Sequence, residues 1–351
     1  MEKNGFKMFC PVESYSGEVI LLGHGSGGTL TARLLNDYVF SAFGNEFLDK
    51  KHDGAIFQAN GRMAFSTDSY VVSPIFFPGG NIGDLAVNGT INDLAMCGAM
   101  PKYLSLSFIL EEGLPIEEFT CVIQSIRQAA IEAGVSIITG DTKVVEKGKG
   151  DRIFINTSGL GAVHPAADID VNRIKTGDRI IINGNIASHG ISVMSLREGL
   201  EFETSIVSDT TNLNYLIFDL LEAFGSDVKL LRDPTRGGVS SVLNEIAGQL
   251  QTEILIDQRS LPIAEEVESA CEMLGLDPLY IANEGLFICF IAEPSAEAAL
   301  EFIRRDPKGK NAALIGRVGG AVGKGRVVME SRIGGKRIIN SLPGEQLPRI
   351  C

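Results

Sequence analysis

Residues 83–101 read GDLAVNGTINDLAMCGAMP, and the reading of this stretch decides the fold. It is rich in small residues and has Gly98 and Pro101 at its end, so it predicts a helix that glycine and proline stop. The run KYLSLSFIL that follows predicts a strand.

Upstream, EVILL (18–22) predicts a short strand, GHGSGG (23–28) a glycine loop, and Leu30, Leu34, Leu35, Tyr38, Val39 and Ala42 recur at helical spacing. AIFQA and RMAFSTD are strand-like runs separated by Asn60-Gly61, a hairpin signal because both residues tolerate positive φ. That places Asp68 at a strand end. Downstream, residues 115–133 predict an amphipathic helix, and VSIITGDTKVVE and DRIFINTSGLGAV predict two strands.

Around HPAADIDVNRIKTGD the periodicity is lost and the chain turns polar, so a domain boundary falls near 165–176. The second half alternates strand-like runs with helices at 189–199, 212–224, 238–250, 263–274 and 295–305. Two domains also suit a chain of 351 residues, which is long for one core. The expectation is an α+β chain with an N-terminal domain at 1–168 built on a mixed, largely antiparallel sheet. A C-terminal α/β domain follows at 169–334, then a flexible tail at 335–351.

Thirty-one basic against 44 acidic side chains give −13, a field that repels nucleic acid and anionic membrane. No apolar leader and no run long enough to span a bilayer is found, so a cytoplasmic protein is expected. Six cysteines without a CxxC fit neither a zinc site nor a disulfide framework, and most are expected to be reduced and buried.

GHGSGG formally satisfies GxGxxG, but a dinucleotide site also needs a second parallel strand ending in an acid about twenty residues on. That region is the polar GNEFLDKKHD, so the dinucleotide reading is set aside. A plain tight turn and a loop whose N–H groups approach phosphate both remain open.

More telling are Asp53, Asp68, Asp93, Asp141 and Asp233, each at an element end among apolar or small residues. A carboxylate there must be capped, paired or bound to metal. Any one of them suits a helix cap or a turn; together they point to a shared Mg²⁺ site, since hard oxygen ligands are what Mg²⁺ and polyphosphate require. Lys143 after GDT and Arg236 after DPT suit phosphoryl oxygens, or else surface ion pairs. Glu284 enters the apolar strand LFICFI, where a raised pKa would let it serve as a base; a solvated turn glutamate is the alternative. His189 reads as a helix N-terminal residue with a packing or capping role.

In this order, GHGSGG, the TDSY-to-CGAMP segment, GDTKVV, SHGISVMSLREGL, RDPTRGGV and ANEG resemble the aminoimidazole ribonucleotide (AIR) synthetase/selenophosphate synthetase superfamily. The closing PRIC narrows the resemblance to the branch that makes the cyanide ligands of the NiFe hydrogenase centre. It implies a PurM-like fold that dimerises through the N-terminal halves, with ATP and Mg²⁺ between the domains. It further implies that Cys351 accepts a carbamoyl group from the carbamoyltransferase HypF. The S-carboxamide is then dehydrated to a thiocyanate with ATP, and cyanide passes to the HypC–HypD complex.

Carried over by motif position, the resemblance assigns metal binding to Asp53, Asp68, Asp93 and Asp233. It assigns nucleotide contacts to Gly25, Gly27, Gly28, Asn92, Asp141 and Lys143, and catalysis to Cys351, Glu284 and Lys143. Two departures stand out. ANEGK is ANEGL here, with Leu286 expected to alter only a strand's surface, and a paired-acid motif is reduced to His52-Asp53. A selenophosphate synthetase would carry Cys or Sec with a nearby Lys in its early glycine-rich segment, which GHGSGG lacks. A passive thiol carrier is the other rival.

From Gly335 to Cys351 an extended chain reaches roughly 50 Å, enough for one thiol to visit two sites. Pro343 and Pro348 disfavour helix and Gly344 adds freedom. The adjoining terminal carboxylate is expected to raise the thiol pKa, with Arg349 as a neighbouring cation that offsets it.

Overall fold

The structure is a computed structural model that describes residues 19–26, 28–50, 54–199, 206–341 and 349–351. Asp53, Gly27, and the tail prolines with Gly344 lie outside the described residues.

The first domain begins with two short helices, α1 (Thr29–Leu34) and α2 (Ser41–Phe43), joined by a π-helical turn at Leu35–Phe40. Strand β1 (Met63–Tyr70) follows, then the small hairpin β2 (Phe76–Phe77) and β3 (Gly80–Asn81). The opening stretch is helix α3 (Ile82–Met96). Asn81 caps it, its side chain accepting from the Gly83 N–H at 2.8 Å while Asp84 accepts from the Asn81 N–H at 2.7 Å. All of α3 except Asp84 and Asp93 is buried, which explains its small residues. A Cβ on Gly83 would meet the Val122 carbonyl at 2.5 Å, and one on Gly89 the Tyr70 hydroxyl at 2.3 Å.

After α3 come β4 (Ala99–Glu111), α4 (Ile116–Ala133), β5 (Ser136–Val145) and β6 (Ile153–Val163). The sheet order is β1-β6-β4-β5. Only β4 and β5 pair in parallel, because α4 carries the chain back between them.

β6 ends at Val163 and the next strand, β7 (Arg179–Ile182), begins the second sheet. Its remaining elements are α5 (Ser188–Glu198), α6 (Asn214–Phe224), β8 (Val228–Arg232), α7 (Gly238–Leu250), β9 (Thr252–Asp257) and α8 (Glu265–Leu274). Then come β10 (Ile288–Ile291), α9 (Ala296–Arg304), β11 (Ala313–Ala321), β12 (Arg326–Glu330) and β13 (Lys336–Ile339). The order is β13-β12-β9-β11-β7-β10-β8, with β12–β9 the parallel pair. Successive residues of β10 feed opposite layers: Ile288 and Phe290 join one apolar cluster, Cys289 and Ile291 the other. The second cluster also takes in Ala95 and Met96, so the end of α3 packs into the core of the second domain.

Four expectations are corrected. EVILL forms no strand: Val19 makes only an isolated bridge to Pro115, and Leu22–Gly25 turn in a 3-10 helix, since Ile20 is paired to the loop before α4. The Asn60-Gly61 hairpin does not form, although Gly61 does take φ +82°. Phe57 stacks on Tyr103 of β4 with ring centroids 4.9 Å apart, which draws residues 54–60 away from the free edge of β1. The tail does not begin at Gly335, because the turn at Gly334 (φ +85°) returns the chain as β13 along β12. Leu286 is not a surface residue; it is 3% exposed in the second core.

Phe290 is fully buried on β10, the strand next to the edge of the second sheet. Phe290→Ala is expected to lower stability by about 4 kcal/mol through lost transfer energy and a residual cavity, read as a shifted midpoint of urea unfolding.

Candidate active site

Between the two sheets lies a cavity of 440 Å³ whose lining includes Asp68, Asp93, Asp233, Arg236, Glu284 and Cys351. Asp68 projects from the helix-side face of β1, which it shares with Ala64, Ser66 and Tyr70. Asp93 is one of the two residues of α3 left unburied, and it accepts from the Ser66 hydroxyl at 2.7 Å. Asp233 follows β8 directly, and Glu284 sits in the loop leading to β10.

Electrostatically the cavity holds too many acids. Burial first, then the neighbouring Asp93, pushes the Asp233 carboxyl up to about 7. Burial likewise raises Asp93, partly offset by the Ser66 hydroxyl and by Arg236. Glu284 is raised well above the carboxylate range by burial and then by Asp209, Asp233, Asp68 and Asp93. Its Oε1 is buried without a hydrogen-bond partner, so its charged form is disfavoured until a cation or a donor comes to it. Among the described residues, no three ligand side chains already converge as a metal cage.

Cys351 enters this cavity on a docked tail. The Val71 N–H donates to the Cys351 carbonyl at 3.0 Å and the Ser73 N–H to the Arg349 carbonyl at 3.3 Å, so the last residues run along the chain beyond β1. Ile350 is buried in the first core, a contact that contributes about 2 kcal/mol to docking. The Arg349 guanidinium donates to the Val71 carbonyl at 3.0 Å and pairs with Asp151 at 2.5 Å. Its charge is spent there. The thiol is pushed up to about 12, by burial first and then by Glu284 and Asp68, with Arg236 opposing. The direction is the expected one, but the cause is the cavity rather than the terminal carboxylate, and the opposing cation is Arg236 rather than Arg349. The described cysteines Cys97, Cys271 and Cys289 are free like Cys351, whereas Cys121 is disulfide-bonded.

The remaining expected site residues lie elsewhere. Asp68 pairs with Thr157, Thr157 with Leu106 and Leu106 with Gly140, so Gly140 shares the Asp68 face of the sheet and Asp141 takes the opposite one. Three strand spacings separate Asp141 from Asp68 by about 14 Å. Gly25, Asp141 and Lys143 line a second cavity of 250 Å³ at the edge strand β5. There Lys143 Nζ pairs with Asp141 at 2.8 Å. Lys143 is therefore not beside Cys351 of its own chain. Gly28 precedes α1 and is in neither lining. Asn92 is buried, donating to the Thr211 and Glu284 carbonyls (2.9 and 3.2 Å) and accepting from the Leu213 N–H at 2.8 Å. Its amide supports the Glu284 loop.

Sequence reasoning missed Asp209, which lies in a polar stretch with no distinguishing signal. It accepts from the N–H groups of Glu284 (3.2 Å) and Gly285 (3.0 Å) and is pushed up to about 6, chiefly by burial.

The N-terminal domain model of AIR synthase related proteins matches residues 51–163, and the C-terminal domain model matches 175–328. The carbamoyl dehydratase HypE of Rhizobium leguminosarum bv. viciae is 50% identical over 331 residues, 94% of each chain. The chain belongs to the HypE family of carbamoyl dehydratases. A crystal structure of hydrogenase maturation protein HypE in complex with ATP superposes with a TM-score of 0.91 at 48% identity, covering 94% of this chain and 99% of that one. A HypE–HypF complex gives 0.77 at 44% identity, covering 90% and 100%. These relatives bear out the two-domain α+β fold expected for this family. No helix among the described residues is long and apolar enough to cross a membrane.

Two outcomes follow from the ionisation pattern. Asp84 and Asp233 are raised to about 7 and Asp209 to about 6, so the folded chain binds more protons than the unfolded one above an ordinary carboxyl value near 4. Their contribution is full below that value and is lost as pH rises through 6 to 7. The urea midpoint of metal-free protein is expected to fall between about pH 5 and pH 8. Second, Cys351 should react with iodoacetamide far more slowly in native protein than in urea at the same pH, and Asp68→Asn should speed the native reaction by lowering the thiol pKa.

Proposed function

We propose that the chain dehydrates an S-carboxamide on its own Cys351 to a thiocyanate, using ATP. The observation that carries this reading is the meeting of the Cys351 sulfur, the unpartnered Glu284 carboxyl and three aspartates in one interdomain cavity.

Amide oxygen is a poor leaving group, so the carboxamide oxygen takes the γ-phosphoryl of ATP and ADP departs. Removal of the nitrogen protons then expels phosphate and leaves the C≡N group on sulfur. Glu284 is suited to hold a proton taken from that nitrogen, because burial and four neighbouring carboxyls make its anion a strong base. Arg236 is one of two cations on the cavity wall, with Arg232, that a transferring phosphoryl group would meet. Asp68, Asp93 and Asp233 form an all-oxygen donor set that fits Mg²⁺, and the raised carboxyls mark a place that favours a cation. Mg²⁺ there would neutralise phosphate charge; Asp53 is retained as a further ligand on motif position alone.

The partners in this reading are HypF, which loads the carbamoyl group, and the HypC–HypD complex, which takes the cyanide. HypF is supported by the HypE–HypF complex of a relative. We also infer a homodimer through the outer face of the first sheet, where Phe65 is 69% and Ile109 44% exposed. Asp141 and Lys143 lie toward that face, so in a dimer they serve across the interface. Phe65→Glu with Ile109→Glu should halve the mass seen by sedimentation.

The direct test is intact mass. Chain carbamoylated by HypF and given Mg·ATP should lose about one water mass (~18 Da) at Cys351, not without ATP and not in Cys351→Ala. Glu284→Gln should still bind ATP and slow the loss by about 10²-fold or more, the scale of general-base catalysis. A carbamoyl adduct that persists unchanged in the wild type would leave the passive carrier reading in its place.

A further inference from the structure

His189 is fully buried at the start of α5 and carries two hydrogen bonds, Nδ1 to Ser208 Oγ at 2.8 Å and Nε2 to the Ile350 carbonyl at 2.9 Å. A carbonyl only accepts, so Nε2 bears the hydrogen. Burial depresses the ring to about 4 and keeps it neutral, so Nδ1 is bare and must accept from the Ser208 hydroxyl. Ser208 Oγ in turn accepts from the Thr210 N–H at 3.1 Å. Each proton in this chain has one place, and the last donor points at the carbonyl directly before Cys351. The Phe77 ring stands edge-on to the imidazole at 5.3 Å and fixes its plane.

The next residue, Asp209, receives the N–H groups of Glu284 and Gly285. The fit is close: a Cβ on Gly285 would fall 1.8 Å from the Asp209 carbonyl oxygen. One dipeptide therefore orients the imidazole that holds the tail and also pins the loop that carries the base. With the tail withdrawn, the Nε2–H loses the acceptor it has here.

We propose that His189, oriented by Ser208, is a positioning residue that latches the tail in its reacting place and sets Cys351 in register with Glu284. It touches neither the thiol nor the carboxamide; it acts through the Ile350 carbonyl. The inference rests on the dehydratase reading only for the meaning of the docked state, and the docking itself is read separately below.

Three variants of the full chain decide it: His189→Ala, Ser208→Ala and His189→Gln, the last placing an amide N–H near the position of Nε2. Three rates are measured on each: iodoacetamide capture of Cys351 without nucleotide, carbamoylation by HypF, and single-turnover loss of water with Mg·ATP. A latch opposes the first two steps and favours the third. His189→Ala should therefore be alkylated about tenfold faster, carbamoylated no more slowly, and dehydrated about tenfold more slowly, the scale of one buried hydrogen bond. Ser208→Ala should move the same way by less, and His189→Gln should return most of the loss. Alkylation at the wild-type rate in both alanine variants overturns the proposal, as does a parallel fall of carbamoylation and dehydration, which general damage to the fold would cause. If His189→Ala does not fold, Ser208→Ala and His189→Gln decide between the same two outcomes. If wild-type chain loses no water yet the alkylation pattern holds, the dehydratase reading falls and the latch stands.

Discussion

The structure turns on buried carboxyl groups that outweigh the cations beside them. Glu284 has an oxygen that nothing donates to, and Asp93 lies close enough to Asp233 to raise it, in a cavity where Arg232 and Arg236 are the cations on the wall. Such an arrangement is unfavourable for stability in isolation. It is the arrangement expected where a cation, a phosphoryl group and a moving proton are to be accommodated. The architecture supplies the rigidity this needs. α3 is buried nearly all round and joins both cores, so Asp93 is held between domains by packing on each side.

The same cavity changes the meaning of the last residue. Cys351 is docked by backbone pairing to Val71 and Ser73, by the buried Ile350 and by Arg349 bound to Asp151. Its thiol is kept un-ionised by burial first and then by the acids around it. A docked thiol of this kind is a poor nucleophile, which suits a place where the sulfur already carries its substrate and not a place where it acquires one. Loading and dehydration are thereby separated in space by chemistry as well as by reach.

Much of this is legible in the sequence, for identifiable reasons. α3 announces itself through its small residues and its glycine and proline stop, and the aspartates stand out by residue type, although Asp68, Asp93 and Asp141 lie within their elements and not at the ends expected of them. Glu284 is conspicuous because a carboxylate rarely precedes so apolar a strand. What cannot be read depends on register and on distance in the chain. Motif position groups Asp141 and Lys143 with Cys351, yet strand alternation carried across four strands puts them on the other face, and no local pattern holds that parity. His189 acts on a carbonyl 161 residues away, and Asn92 supports a loop 192 residues away. The hairpin at Asn60-Gly61 is absent for a related reason: Gly61 takes positive φ, but Phe57 packs on Tyr103, a residue distant in the chain.

The central claim is that these carboxyls are protonated beyond their usual range and await a cation. Calorimetric titration of the chain with Mg·nucleotide near pH 6.5, in two buffers of different ionisation enthalpy, tests it most directly. The account predicts heats that differ by the buffer contribution, because binding releases protons from the cavity, and a smaller difference in Asp233→Asn. Equal heats in both buffers, with binding intact, would contradict it.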